Sequence, residues 1–109
     1  MELLIVASKE GNLARVTKLL DGGAEVGRAD KYGMNPLHWA CVNGHLEVAR
    51  LLLDRGAEVD RANNSGHTPL HWACMKGHLE IVRLLLDRGA EVDRANDSGF
   101  TPLHRACYN

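Results

Sequence analysis

The chain repeats itself every 33 residues, which restricts it to folds built from like modules set in a row. Aligned without a gap, Lys31–Asn63 and Asn64–Asn96 differ at eight positions and agree at the other 25. Arg50–Asn63 recurs unchanged as Arg83–Asn96. The phase extends outward through Gly11, Gly44 and Gly77, through Pro36, Pro69 and Pro102, and through His38, His71 and His104. A unit this short cannot enclose a core, so each must close its apolar face on a neighbour. The predicted organisation is a single domain, residues 1–109. It has a divergent N-terminal capping unit at 1–30, full units at 31–63 and 64–96, and a partial C-terminal unit at 97–109.

Within a unit the residues predict two short helices and a finger. Asn35 before Pro36, Thr68 before Pro69 and Thr101 before Pro102 pair an N-cap with a proline at the first helical position, where a missing N–H costs nothing. In the second unit the first helix should end near Asn43, at Gly44. The second helix should run over about Leu46–Arg55, with Leu46, Ala49, Leu52 and Leu53 on one face and Gly56 after it. Glu47 in its first turn and Arg55 in its last suit the helix dipole. Asp30-Lys31-Tyr32-Gly33, Asn63-Asn64-Ser65-Gly66 and Asn96-Asp97-Ser98-Gly99 read as type I turns at the finger tips.

The runs NPLHWACVNGHLEVARLLLDRGAEVD and TPLHWACMKGHLEIVRLLLDRGAEVD, in phase and followed by TPLH at Thr101–His104, resemble ankyrin repeats over nearly the whole chain. The resemblance implies an all-α solenoid of stacked helix-turn-helix repeats with β-hairpin-like fingers. It implies that the histidine of each TPLH-type motif ties its helix to the finger by hydrogen bonds. It also implies a protein-binding scaffold, with partners along the fingers and first helices.

Composition removes other classes. The chain is 45% apolar and 25% charged with a net charge of −1, so it carries no basic footprint for nucleic acid or an anionic membrane. The longest apolar run, Leu3–Ala7, is far shorter than the roughly 20 residues of a membrane span. The start has no signal-peptide pattern, and a cytoplasmic or nuclear, reducing location is expected. One Phe, two Tyr and two Trp make a large aromatic core impossible, whereas thin layers of small aliphatic residues suffice for a stack.

The chemically capable residues fall into the repeat register. Three histidines recur one per unit, and units packed about 10 Å apart cannot bring them to one ion about 2 Å from each ligand. Cys41, Cys74 and Cys107 are one per unit too, beyond the reach of a disulfide, and are expected as small buried apolar residues. Asp54, Glu58 and Asp60, duplicated as Asp87, Glu91 and Asp93, read as a solvated charged face. Trp39 and Trp72 read as partly buried packing, with a stacking ladder for a ligand as the alternative. No nucleophile, base or cofactor motif stands outside the register, so no catalytic, cofactor or metal site is assigned. The ends depart from the pattern. Leu3 and Ile5 replace the proline and histidine, Lys9, Glu10, Arg15 and Lys18 add charge, and Arg105 stands where tryptophan stands inside. The end of the chain is expected to fray after about Ala106.

The differences between the full units point to the partner surface. Val48/Ile81 and Ala49/Val82 are packing swaps, and Asn35/Thr68 exchanges caps. The other five, Lys31/Asn64, Tyr32/Ser65, Met34/His67, Val42/Met75 and Asn43/Lys76, fall on the fingers and first-helix ends, which line one concave face. Lys31, Tyr32, Met34, Asn43, Ser65, His67, Met75, Lys76 and Phe100 are the candidate partner-binding residues, with Tyr32, Met34, His67, Met75 and Phe100 at the centre. A monomer is expected, with weak self-association through the C-terminal face as a further option. The unchanged 14-residue stretch and the stop at Asn109 motivate an alternative, an engineered or consensus-type ankyrin scaffold without a natural partner.

Overall fold

A computed structural model describes residues 3–102. Six α-helices form among them, in three pairs: α1 (Leu3–Glu10) with α2 (Leu13–Asp21), α3 (Pro36–Asn43) with α4 (Leu46–Asp54), and α5 (Pro69–Lys76) with α6 (Leu79–Asp87). His104, Arg105, Cys107, Tyr108 and the expected fraying after Ala106 lie outside the described residues.

Capping sets where the first helices start. The Asn35 side chain accepts the His38 N–H and the His38 ring accepts the Asn35 N–H, a reciprocal box that Thr68 and His71 repeat. Pro36 and Pro69 open the two helices. Gly44 and Gly77 close them in the left-handed region, at φ 77° and 73°. The second helices end one residue before the expected boundary, with Arg55 and Arg88 as C-caps.

The helices of each pair pack on one another and on their counterparts in the next pair, α1 on α3 on α5 and α2 on α4 on α6. The first helices pack more extensively along the stack because their contact positions are small: Ala7, Ala40 and Ala73 have no exposed surface. The second helices bury Val16, Val48, Ala49, Leu52, Ile81 and Leu85 along the stack. The buried face of α4 comprises Val48, Ala49, Leu52 and Leu53, whereas Leu46, expected in that set, is only half-buried at its edge.

The fingers differ from the hairpins expected. No strand forms among the described residues. Each finger is a side-chain-clamped turn. Asp30 Oδ1 accepts the N–H groups of Tyr32 and Met34 at 2.9 and 3.0 Å, and the Gly33 N–H reaches the Asp30 carbonyl at 3.0 Å. Asn63 and Asn96 do the same for Ser65 and His67 and for Ser98 and Phe100. Successive fingers share one backbone bond, Asn64 N–H to the Tyr32 carbonyl at 3.1 Å and Asp97 N–H to the Ser65 carbonyl at 3.0 Å. One bond per joint is too few for a ladder, because the side-chain clamps already occupy the tip N–H groups.

The charged loop residues expected as a solvated face also join units. Arg55 Nη2 lies 2.7 Å from Asp21 Oδ1, and Arg88 Nη2 lies 2.7 Å from Asp54 Oδ1. Asp60 Oδ1 accepts the Glu91 N–H at 3.1 Å. His45 and His78 donate from Nε2 to the Lys9 and Val42 carbonyls, at 2.9 and 3.2 Å. Room for these rings requires glycine in the preceding unit: a Cβ on Gly11 would sit 2.5 Å from the His45 ring, and one on Gly44 2.7 Å from that of His78.

Gly44 and Gly77 therefore separate two effects. Their φ values match, but a Cβ on Gly77 meets nothing within 4 Å among the described residues. Gly77→Ala should cost only the left-handed penalty of about 1–2 kcal/mol. Gly44→Ala should cost about 1–2 kcal/mol more, because the His78 tie must also yield. Urea denaturation of both variants measures the gap, and equal losses would remove the steric role given to His78.

Candidate functional site

The first-helix and finger side is built on two buried imidazoles. His38 has no exposed surface. Its Nδ1 accepts the Asn35 N–H at 3.0 Å, which places the proton on Nε2, and Nε2 donates to the Arg61 carbonyl at 2.8 Å. His71 accepts the Thr68 N–H at 3.0 Å and donates to the Phe100 carbonyl at 2.9 Å. Each ring thus ties its helix to the following finger, as the family resemblance implied. Burial lowers the His38 pKa to about 4, against the pull of the Arg61 and His67 backbone bonds and Asp30.

The candidate partner residues divide on this frame. Lys31, Tyr32, Asn43, Ser65, Lys76 and Phe100 are exposed, Tyr32 at 61%. Lys31 Nζ lies 5.2 Å from the centroid of the Tyr32 ring. Met75 is half-buried.

Two residues expected at the centre of the surface require correction. Met34 is only 5% exposed, and its sulfur accepts the Asn63 side-chain amide at 3.2 Å. His67 is half-buried, its ring 5.1 Å from that of Trp72, and its Nε2 accepts the Asn96 amide at 3.1 Å. Both stand where the next finger's asparagine reaches back, so they join units before they can meet a partner. Asn43, though exposed, is also engaged, its amide donating to the Lys9 carbonyl at 3.0 Å.

Lys9 and Trp39 belong to this surface and were not among the candidates. Lys9 Nζ stands 4.2 Å from the centroid of the half-buried Trp39 ring. The signal was present in register: Lys9 occupies the position of Val42 and Met75 at the end of a first helix. The face is graded along the stack as a result. Lys9, Trp39, Lys31 and Tyr32 place cations beside aromatic rings at one end. Met75 and Phe100 add apolar surface at the other end, beside the exposed Lys76.

The two tryptophans are packed alike and satisfied differently. Trp39 Nε1 donates to Asp30 Oδ2 at 3.3 Å. Trp72 Nε1 is buried with no acceptor among the described residues. The residue in register with Asp30 is Asn63, whose one side-chain oxygen is taken by the turn and whose amide can only donate.

No set of three or more His, Cys, Asp or Glu residues within reach of one metal ion is found among the described residues. Cys41 and Cys74 are free thiols. Burial raises the pKa of both, so neither is an activated nucleophile. No helix among the described residues is long and apolar enough to cross a membrane.

Stacked helix pairs, capped at a Pro-initiated first helix and tied by a buried histidine, define a repeat scaffold. The chain belongs to the ankyrin-repeat family: the model for ankyrin repeats (3 copies) matches residues 3–96 and again 62–109. A search of curated proteins returned no match. Ankyrin repeats are generally protein-interaction modules and typically non-enzymatic.

Two measurements check this account. In the folded chain His38 takes a proton only near pH 4, and in the unfolded chain near 6.5. The unfolded state therefore binds more protons between these values, and stability is complete above pH 6.5 and falls as pH drops towards 4. From His38 alone the loss at pH 5 should be roughly 2 kcal/mol relative to pH 7.5. Urea titrations at both pH values test this, and an undiminished slope in His38→Asn would assign it elsewhere. Asn63→Asp should supply the second oxygen that Trp72 lacks while giving up the weaker amide bond to the Met34 sulfur, for a net stabilisation of under about 1 kcal/mol at pH 7. An unchanged urea midpoint would exclude that acceptor geometry.

Proposed function

We propose that this ankyrin-repeat chain binds a protein or peptide along its finger and first-helix face. The observation that carries the reading is that two units otherwise nearly identical diverge at solvent-exposed finger and first-helix positions. Tyr32, 61% exposed, faces Ser65 in register, and Lys31 faces Asn64. The binding set is Lys9, Lys31, Tyr32, Trp39, Ser65, Lys76 and Phe100, with half-buried Met75 as an apolar floor; Asn43 and His67 contribute only their outer surfaces. The face suits an extended segment with acidic residues near Lys9, Lys31 and Lys76 and apolar residues near Met75 and Phe100. The free thiols of Cys41 and Cys74 support a reducing cytoplasmic or nuclear setting. A second reading, an engineered or consensus-type scaffold, rests on the unchanged recurrence of Arg50–Asn63 as Arg83–Asn96.

Capture from cell lysate with the wild-type chain and a Tyr32→Ala, Lys76→Ala variant tests the assignment. Both substitutions are on exposed side chains and should leave the circular dichroism spectrum and melting unchanged. A specific partner should be retained at least tenfold less by the variant. Equal retention would move the site off this face, and the absence of any specific partner across several cell types would favour the scaffold reading.

A further inference from the structure

The ion pairs among the described residues use positions that recur from unit to unit: Arg55 with Asp21, Arg88 with Asp54, Arg50 with Glu47 and Arg61 with Glu58. Two rows on the finger and first-helix face do not recur in this way. At the finger tips Lys31, Asn64 and Asp97 stand in register, and at the first-helix ends Glu10, Asn43 and Lys76 do. The sign reverses along each row, in opposite directions. Lys31, Asp97, Glu10 and Lys76 are all exposed and make no ion pair among the described residues.

The ties between units place these charges along the stack. The finger of Lys31 belongs to the layer of α3, since Trp39 donates to Asp30. Backbone bonds set the finger of Asn64 beside that of Tyr32, and the finger of Asp97 beside that of Ser65. The first-helix ends are joined likewise, Asn43 to the Lys9 carbonyl and His78 to the Val42 carbonyl. Lys31 therefore stands in the second layer on the finger side, and Lys76 in the third on the helix side. Asp97 follows in the fourth, again on the finger side. The first layer carries both signs, Glu10 beside the Lys9 whose ammonium lies on the Trp39 ring, and so fixes neither.

Packed helices lie about 8–10 Å apart, which is about three residues of extended chain at about 3.3 Å each. Successive side chains of an extended chain face opposite ways, so residues three apart also face opposite ways. Lys31, Lys76 and Asp97 alternate between the two sides in that same rhythm. We infer that the face reads an extended segment in which two acidic residues and a basic one follow at three-residue intervals. The first acid meets Lys31, the second Lys76, and the base Asp97. This inference rests on the finger and first-helix reading and gives it a recognition pattern. Tyr32 beside Lys31, Met75 beside Lys76 and Phe100 in the finger of Asp97 leave apolar ground for the intervening side chains. A helical segment rises only about 1.5 Å per residue and would need the same charges about seven residues apart.

The probes are three fluorescein-labelled peptides of threonine and valine carrying two glutamates and a lysine, at intervals of three, four or seven. Each is titrated with the full chain and followed by anisotropy. The three-residue peptide should bind saturably and at least tenfold more tightly than the other two. Lys31→Glu and Lys76→Glu should each weaken it at least tenfold with the circular dichroism spectrum unchanged. A peptide with its first glutamate, the one farther from its lysine, replaced by lysine should recover affinity for the Lys31→Glu chain only. One with its second glutamate replaced should recover affinity for the Lys76→Glu chain only. Tightest binding at seven would assign the face to a helix and overturn the proposal. Binding indifferent to the interval but lost in Tyr32→Ala, Lys76→Ala would overturn the pattern while upholding the face. No saturable binding by any of the three would also overturn the pattern, and lysate capture would then judge the face by itself.

Discussion

Every unit of this chain finishes its hydrogen bonds and its core on its neighbour. The buried imidazoles of His38 and His71 show the constraint most directly. Each has one nitrogen committed to its own helix cap and the other to a carbonyl of the following finger. Removing the following finger would leave a buried donor unsatisfied, which costs more than the bond itself contributes. Asparagine amides, histidine rings and arginine forks repeat the pattern at other depths, so cooperativity along the stack is written into polar groups as well as into Leu, Val and Ala.

Those ties also decide which surface is free for a partner. Position 34 and its counterpart 67 vary between units, which alone marks them as candidates. Yet both are held by the next finger's asparagine, and the surface left over lies further out, on Tyr32, Lys31, Lys76 and Phe100. Variation at a joint and variation at a binding face look the same in a sequence, because the joint at 34/67 accepts sulfur or imidazole equally well as an acceptor.

Asp30 and Asn63 illustrate a smaller version of the problem. Both residue types form the same turn, and the sequence treats them as equivalent. Only with the indoles placed does the second carboxylate oxygen matter, since it satisfies Trp39 while Trp72 goes without. The carboxylates of the loops were likewise legible as charge and not as ties. Their partners lie 34 residues away, a separation that means nothing until the units are stacked.

By itself the sequence determined the repeat, the helix starts at Pro36 and Pro69, the glycine stops and the finger turns, because each of these is a local choice within a few residues. It also determined that His38 and His71 are structural, through their register. The tertiary structure alone decided that the fingers among the described residues are clamped turns without strands, that Met34 is buried and Tyr32 open, and that Lys9 stands over Trp39. The physical reason is distance along the chain. Caps and turns are settled by neighbours three or four residues apart, whereas exposure and inter-unit ties are settled by residues about one repeat apart.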